Sequence, residues 1–329
     1  MTVSGATVPR ITVVGSYATG LTMKVKRLPS SGETLLGTGY RVDYGGKGSN
    51  QAVGSARLGA KVNFVAKIGK DAFGEMALSL YRDEGIDVAH VKLTDDTPTG
   101  VGFIIVEGET GNNCIVIDPG ANELLTADDI SGCSAAFEST SVVLTQLEIP
   151  VAAAEAALRL GRAAGAITIL NPAPVRPLPP SVLQLIDVLT PNQSEAKVLT
   201  GRSPDEVIEP EELARELIRG GVKQVVMTLG EKGALIVTPS SSLHVRAVPM
   251  SAVDTTGAGD AFNAGLATAL ASGASLEAAV QFAVVTGGLA VTKEGVIPSL
   301  PTRDEVRHFY QERGTALPGW FASSSAPLQ

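Results

Sequence analysis

Cysteine is scarce in this chain: Cys114 and Cys133 are the two in 329 residues. They fall in no metal-type spacing, so neither a disulfide framework nor a thiolate metal site organises the fold, and a reducing, cytoplasmic setting is expected. Histidine is nearly as rare, with three. His90, His244 and His308 are scattered, with no carboxylate or cysteine at ligand spacing, which argues against a histidine metal centre. Long apolar runs are missing. The alanine-rich stretch 151–170 is interrupted by Glu155, Arg159 and Arg162, too charged to span a membrane. The first ten residues lack a basic region followed by an apolar run, so no secretory leader is expected. Basic excess is missing too. The net charge is −8, and an acidic surface repels a polyphosphate backbone, so nucleic acid is not an expected partner. No internal repeat is visible.

What the chain does have is an alternation. Short apolar runs rich in β-branched residues occur at 11–15, 62–66, 142–147, 167–171, 188–190 and 225–230. Their neighbouring positions are apolar together, as expected of strands covered on both faces in a parallel sheet. Helical patterns lie between them: 49–58, closed by Gly59; 152–164, closed by Gly165; and 211–219, acids first and a base last, before Gly220 and Gly221. The stretches 260–271 and 276–291 read as small-residue helices. Repeated strand–helix units predict an α/β fold, a doubly wound, mainly parallel sheet with helices on both faces.

Two segments, 17–44 and 91–118, break the alternation. The second contains strand patterns at 101–107 and Asn113–Asp118 around a turn with Gly108 and Gly111, a hairpin signal. Together they predict a small β-sheet lid over a core formed by 1–16, 45–90 and 119–317. Cys114 falls in a predicted lid strand and reads as a core residue. Residues 318–329 read as a disordered tail, with Trp320 as a packing or interface residue.

The most informative stretch is Asp254-Thr255-Thr256-Gly257-Ala258-Gly259-Asp260, followed at once by a helical pattern. A helix start has free N–H groups and a partial positive charge, and glycine lets a phosphate approach them closely. Such a site stabilises charge spreading over a transferring phosphoryl group. Asp260, at the edge of that turn, is placed to accept a proton from an attacking alcohol; the bland alternative is an N-capping aspartate. The turn is no P-loop, lacking Gly-Lys-Ser/Thr, and no dinucleotide fingerprint, lacking the third glycine. A second constellation, Gly45-Gly46-Lys47-Gly48-Ser49-Asn50-Gln51-Ala52, also leads glycines into a helix. Lys47 can reach a phosphate or a hydroxyl, and Asn50 can both donate and accept. Here the alternative is a glycine turn with a solvated lysine.

The two motifs, in this order and at this distance, resemble the signatures of the PfkB family of carbohydrate kinases, in its ribokinase-like branch. The segments Gln146-Leu147-Glu148, Asn171-Pro172-Ala173-Pro174, Thr190-Pro191-Asn192 with Glu195, and Thr228-Leu229-Gly230 fit the same resemblance, which extends from residue 11 to about 309. It implies an ATP-dependent kinase acting on a primary hydroxyl of a small sugar, ribose first, with a nucleoside, deoxyribose or ketohexose as alternatives. A non-catalytic sugar- or nucleotide-binding regulator is the alternative of another class. The resemblance assigns Asp260 as base and the backbone of Gly257, Ala258 and Gly259 as anion hole. Gly46, Lys47, Gly48, Asn50 and Glu148 would hold the sugar. Asn192, Thr228, Leu229, Gly230, Lys232, Gly233, Gly259 and Val284 would line the nucleotide, with Gly230 and Gly233 giving it room. Glu195 would act on Mg²⁺ through water. A monovalent cation, K⁺ by preference, would take Asp254, Thr256, Ala290, Lys293, Gly295 and Ser299. A homodimer joined through the lid is the expected assembly.

One segment departs from the family pattern. Members of the ribokinase-like branch usually end the first strand in Gly-Ser-x-Asn-x-Asp, whose Asn and Asp bind sugar hydroxyls; this chain has Ala18 and Gly20 there. Two polar contacts are lost, with Tyr17 or Thr19 as possible substitutes, so discrimination among sugars is expected to change while the phosphoryl chemistry stays.

Overall fold

The computed structural model describes residues 8–108, 112–203 and 205–322. In chain order its strands are β1 (Arg10–Val14), β2 (Ala18–Val25), β3 (Thr38–Gly45), β4 (Lys61–Gly69), β5 (Val91–Thr94), β6 (Gly100–Glu107), β7 (Asn113–Asp118), β8 (Val142–Thr145), β9 (Ile167–Leu170), β10 (Val188–Leu189), β11 (Gln224–Thr228), β12 (Ala234–Val237) and β13 (Ser242–Val245). The main sheet runs β13-β12-β11-β10-β9-β8-β1-β4-β5. From β11 to β5 every pairing is parallel, and β12 and β13 add an antiparallel edge.

This is the doubly wound α/β architecture that the apolar runs predict. Side chains alternate across a strand, so β1 feeds both faces: Ile11 and Val13 enter one core cluster, Val14 the other. The first cluster is closed by helices Lys47–Arg57, Ala258–Ala271 and Leu276–Ala290, the second by Val151–Ala163 and Pro210–Arg219. One crossing matters for function. Helix Lys47–Arg57 lies so near Ala258–Ala271 that a Cβ on Gly54 would sit 2.8 Å from Ala264 Cβ. Glycine and alanine let the two axes approach, and one turn earlier Asn50 and Gln51 face Asp260.

A separate four-stranded sheet, β3-β2-β6-β7, has β2 and β6 parallel and both outer pairs antiparallel. The expected hairpin joins β6 to β7; its predicted turn residue Gly111 lies outside the described residues. Three expectations need correction. Residues 91–94, grouped with the lid, extend the main sheet beside β4, because Val91 and Leu93 pair with Ala66 and Ile68. Cys114 is exposed, as is all of β7, an outer strand with neither face covered. The tail starts ordered: Gly319–Ala322 is a helical turn whose Phe321 is buried, its ring tilted against Phe282 with centroids 4.8 Å apart and lying under the Arg303 guanidinium. Trp320 packs on Phe282 too, the packing role expected of it. Residues 323–329 of the predicted tail, like 1–7 at the other end, lie outside the described residues.

Candidate active site

Two helix starts meet at one cavity of about 120 Å³. Helix Ala258–Ala271 begins at Gly257, whose φ of 82° is left-handed. A side chain there would be strained and would strike Val296 Cγ1 at 2.7 Å. This conformation turns the first helical amides outward. Ala258 N–H donates to Thr255 O at 3.3 Å; the Gly259 and Asp260 amides find no acceptor among the described residues. A Cβ on Gly259 would meet nothing within 4 Å. Bare backbone carrying the positive end of a helix therefore faces open space, an anion site in the making. Asn263 Nδ2 steadies this turn by donating to Gly259 O at 2.8 Å, and Thr190 Oγ1 donates to Asn263 Oδ1 at 2.6 Å.

Asp260 is buried, and both its oxygens are held. Asn50 Nδ2 donates to Oδ2 at 2.8 Å and Gln51 Nε2 to Oδ1 at 2.9 Å. Gln51 is itself fixed: Gln146 Nε2 donates to its Oε1 at 2.5 Å, and its Nε2 also reaches Asn171 Oδ1 at 3.1 Å. With its carbonyl committed to Gln146, the Gln51 amide must turn its N–H toward Asp260. The carboxylate thus has a set orientation at the cavity wall beside Gly259 and Lys47. Asp260, first among several acids, holds the Lys47 ammonium above the ordinary lysine range; burial opposes it, and Glu148 and Glu195 assist. Glu148 ties the Lys47 turn to the end of β1. Its Oε2 accepts from Ser16 Oγ at 2.5 Å and from Lys47 N–H at 2.8 Å. Gly48 N–H in turn donates to Ser16 Oγ at 3.3 Å.

Asn192 and Glu195 line the opposite wall with Thr228. They also form a capping box: Glu195 N–H donates to Asn192 Oδ1 and Asn192 N–H to Glu195 Oε2, each at 2.8 Å. Burial raises the Glu195 carboxyl above its usual range, against the Asn192 amide and the Lys47 charge. Beyond Thr228 the chain turns sharply, Leu229 N–H donating to Gly233 O at 2.8 Å, and Lys232 is exposed. Gly233 is bare because Val245 O comes within 2.1 Å of where its Cβ would stand; its demand is internal. Gly230 opens on free space, and Val284 is buried in the larger core cluster.

On the other flank, Asp254 Oδ1 accepts from Thr256 N–H at 2.9 Å and Oδ2 from Gly295 N–H at 3.1 Å. Burial pushes this carboxyl up, but these amides and the Arg41 charge outweigh it and hold it below its usual range. Asp254, Thr256 and Gly295 are thereby brought together. Ser299 Oγ donates to Val296 O at 2.7 Å, the Ala290 carbonyl accepts from Lys293 N–H at 3.4 Å, and the Lys293 ammonium pairs with Glu305. Tyr17 and Thr19, candidates to replace the missing sugar contacts, turn elsewhere. Both are fully buried, bonded to each other through their hydroxyls, and Tyr17 packs edge-on against Tyr81.

Residues that sequence reasoning left without a role are Gln51, Gln146, Asn171, Thr190 and Asn263. The signal they leave is polarity at buried positions; the Gln51–Asp260, Gln146–Gln51 and Thr190–Asn263 bonds span 209, 95 and 73 residues and come only with the fold. Gln51 fixes the orientation of the Asp260 carboxylate. Gln51→Met keeps its bulk and removes the donor, so turnover should fall about 10- to 100-fold while the KM for nucleotide stays within about twofold. Steady-state kinetics check this split; equal losses in both parameters would mean a general collapse of the site.

From residue 8 to residue 303 the chain matches the model of the pfkB family carbohydrate kinases. It is 37% identical over 301 residues to the ribokinase of Haemophilus influenzae, covering 92% of this chain and 98% of that protein. It is 33% identical over 300 residues to the deoxyribokinase of Salmonella typhi, with 91% and 98% covered. It is also similar to the solved structure of Arabidopsis thaliana ribokinase complexed with ribose and ATP, with a TM-score of 0.85, 32% identity, and 92% and 98% covered.

Proposed function

The chain belongs to the pfkB family of carbohydrate kinases, and on that premise we propose that it transfers the γ-phosphoryl group of ATP to a primary hydroxyl of ribose. The observation that carries this reading is the Asp260 carboxylate, oriented by two amides on the wall that also presents the bare Gly259 backbone. Asp260 takes the proton of the sugar hydroxyl as its oxygen attacks the γ-phosphorus. The new O–P bond forms in line with the breaking bond to the β-phosphate oxygen, and ADP leaves. The amides of the 257–260 turn and the Lys47 ammonium take up the charge on the moving phosphoryl group. Asn50 Oδ1, buried without a partner, is an acceptor that a sugar hydroxyl would satisfy.

Glu195 suits Mg²⁺, an oxygen-seeking ion that keeps much of its water: burial disfavours the bare carboxylate, and a cation would restore it. Bound with ATP, Mg²⁺ would neutralise charge on the β- and γ-phosphates. The Asp254 carboxylate, with the carbonyls of Thr256, Ala290, Lys293 and Gly295 and the Ser299 hydroxyl, is the proposed K⁺ site beside the anion hole. The lid supports a homodimer. Outer strand β7 exposes Ile115, Val116 and Ile117, and neighbouring Phe103 is 52% exposed; an open apolar edge calls for a cover. Size-exclusion chromatography giving a clean monomer would remove the dimer.

Ala18 and Gly20 favour a second reading, the same chemistry on 2-deoxyribose. ADP release measured with ribose, 2-deoxyribose, fructose and a nucleoside, each with and without K⁺, tests both. Ribose should give the highest kcat/KM, and K⁺ should raise it. Background release with every acceptor would leave a binding protein without turnover.

A further inference from the structure

One face of the lid is bare at its centre, where two rows across β2 and β6 hold only glycine and alanine. Register places Ala18 beside Gly45 and Gly100, and Gly20 beside Asp43 and Gly102. Directly paired residues of neighbouring strands project to one side, so in these two rows Asp43 is the one ionisable group. A Cβ on Gly20 would lie 3.7 Å from Asp43 Cβ, its nearest contact being Ile104 Cδ1 at 3.5 Å. The Asp43 side chain thus flanks the space that a side chain at position 20 would fill.

The next row shows where this face looks. Arg41 Nε donates to Asp43 Oδ2 at 2.6 Å, and its Nη1 to Glu294 at 3.3 Å. Glu294 adjoins Gly295, whose amide binds Asp254, the residue that opens the glycine turn before Asp260. At the other end, a Cβ on Gly46 would meet Ala18 N at 2.8 Å, so the start of β2 abuts the turn that leads into Lys47. This face lies between the two helix starts that build the active site. Asp43 Oδ1 has no partner among the described residues, while Oδ2 is steadied by Arg41.

Glycine and alanine cannot accept a hydrogen bond from a sugar; a carboxylate can take two, and strongly. We propose that Asp43 is a specificity-determining residue for the acceptor: from β3 it supplies the hydroxyl-accepting carboxylate that β2 lacks at Gly20. The acceptor class it selects is a pentose with free secondary hydroxyls turned to the lid. This inference rests on the sugar-kinase reading above.

Three forms of the full chain test it: unchanged, Asp43→Ala, and Asp43→Ala with Gly20→Asp. Gly20 has no left-handed φ, and a Cβ there would make only ordinary contacts of 3.5 Å or more, so an aspartate is accommodated once Asp43 is trimmed to alanine. Losing a hydrogen bond to a charged acceptor should raise the KM for ribose about 10- to 100-fold in Asp43→Ala, with the KM for ATP within about twofold. A loosened lid alone would move both constants. The double variant, with its carboxylate moved one strand over, should recover most of the loss. An Asp43→Ala variant whose ribose KM stays within about twofold overturns the proposal. So does a double variant that keeps its thermal midpoint and recovers nothing. No ADP release from the unchanged chain with any sugar would instead bring down the kinase reading itself.

Discussion

Asp260→Asn should turn over at least about 10²-fold more slowly than the unchanged enzyme while binding ATP with nearly the same affinity. The geometry gives the reason. Asparagine keeps the size of the side chain but can offer an acceptor to Asn50 or to Gln51, not to both, since one carboxylate oxygen becomes an N–H₂ group facing a donor. On the proposed mechanism the base is gone, and the remaining amide is poorly seated. Single-turnover kinetics with saturating ribose, alongside calorimetric titration of ATP, separate the two effects. A near-normal rate would mean that another group removes the proton and that Asp260 only caps its helix. A large fall in ATP affinity would mean that the substitution had disturbed more of the shared cavity than the carboxylate itself.

Gly259→Val should be as severe for a different reason. A Cβ at this position meets nothing beyond its own helical backbone within 4 Å, so the variant should fold with its thermal midpoint little changed, apart from the small cost of a β-branched residue in a helix. The added methyl groups would occupy the open space in front of the first helical amides. Blocking donors to a developing charge costs about 10²- to 10³-fold in kcat. Measuring kcat and the thermal midpoint on the same preparation tests this directly. An active variant would show that the phosphoryl group passes elsewhere. Gly257→Val makes a poor control, because its left-handed φ and the Val296 contact would damage folding as well.

The legible parts of the fold are those where one physical signal dominates. The strands at 62–66 and 142–147 are read from the sequence as β4 and β8, with ends shifted by a few residues. Buried parallel strands need apolar side chains on both faces, and few other structures do. Strands β12 and β13 pass unmarked. They are four residues each, and β13, Ser242–Val245, is largely exposed, so its sequence carries little apolar pattern. The β5 edge reads from the sequence as part of the lid because nothing local says which sheet an isolated Val-Lys-Leu-Thr joins. The ordered start of the tail escaped for a similar reason. A Pro-Gly-flanked Trp-Phe pair looks like linker until Phe282 and Arg303 close over it.

At the active site the division is sharper. Sequence alone determined the chemistry: two glycine-led helix starts, one carboxylate at the edge of one of them, and one lysine in the other, because those features are local and a helix start presents its amides wherever it is placed. Tertiary structure decided what the chemistry can grip. It brought Gln51 and Gln146 to Asp260, buried Tyr17 and Thr19 away from the cavity, and set Asp43 against Gly20 across two strands. Those contacts join residues far apart in the chain or on different strands, and their distances follow from the crossing of helices at Gly54 and the register of the lid, which no short stretch of sequence specifies.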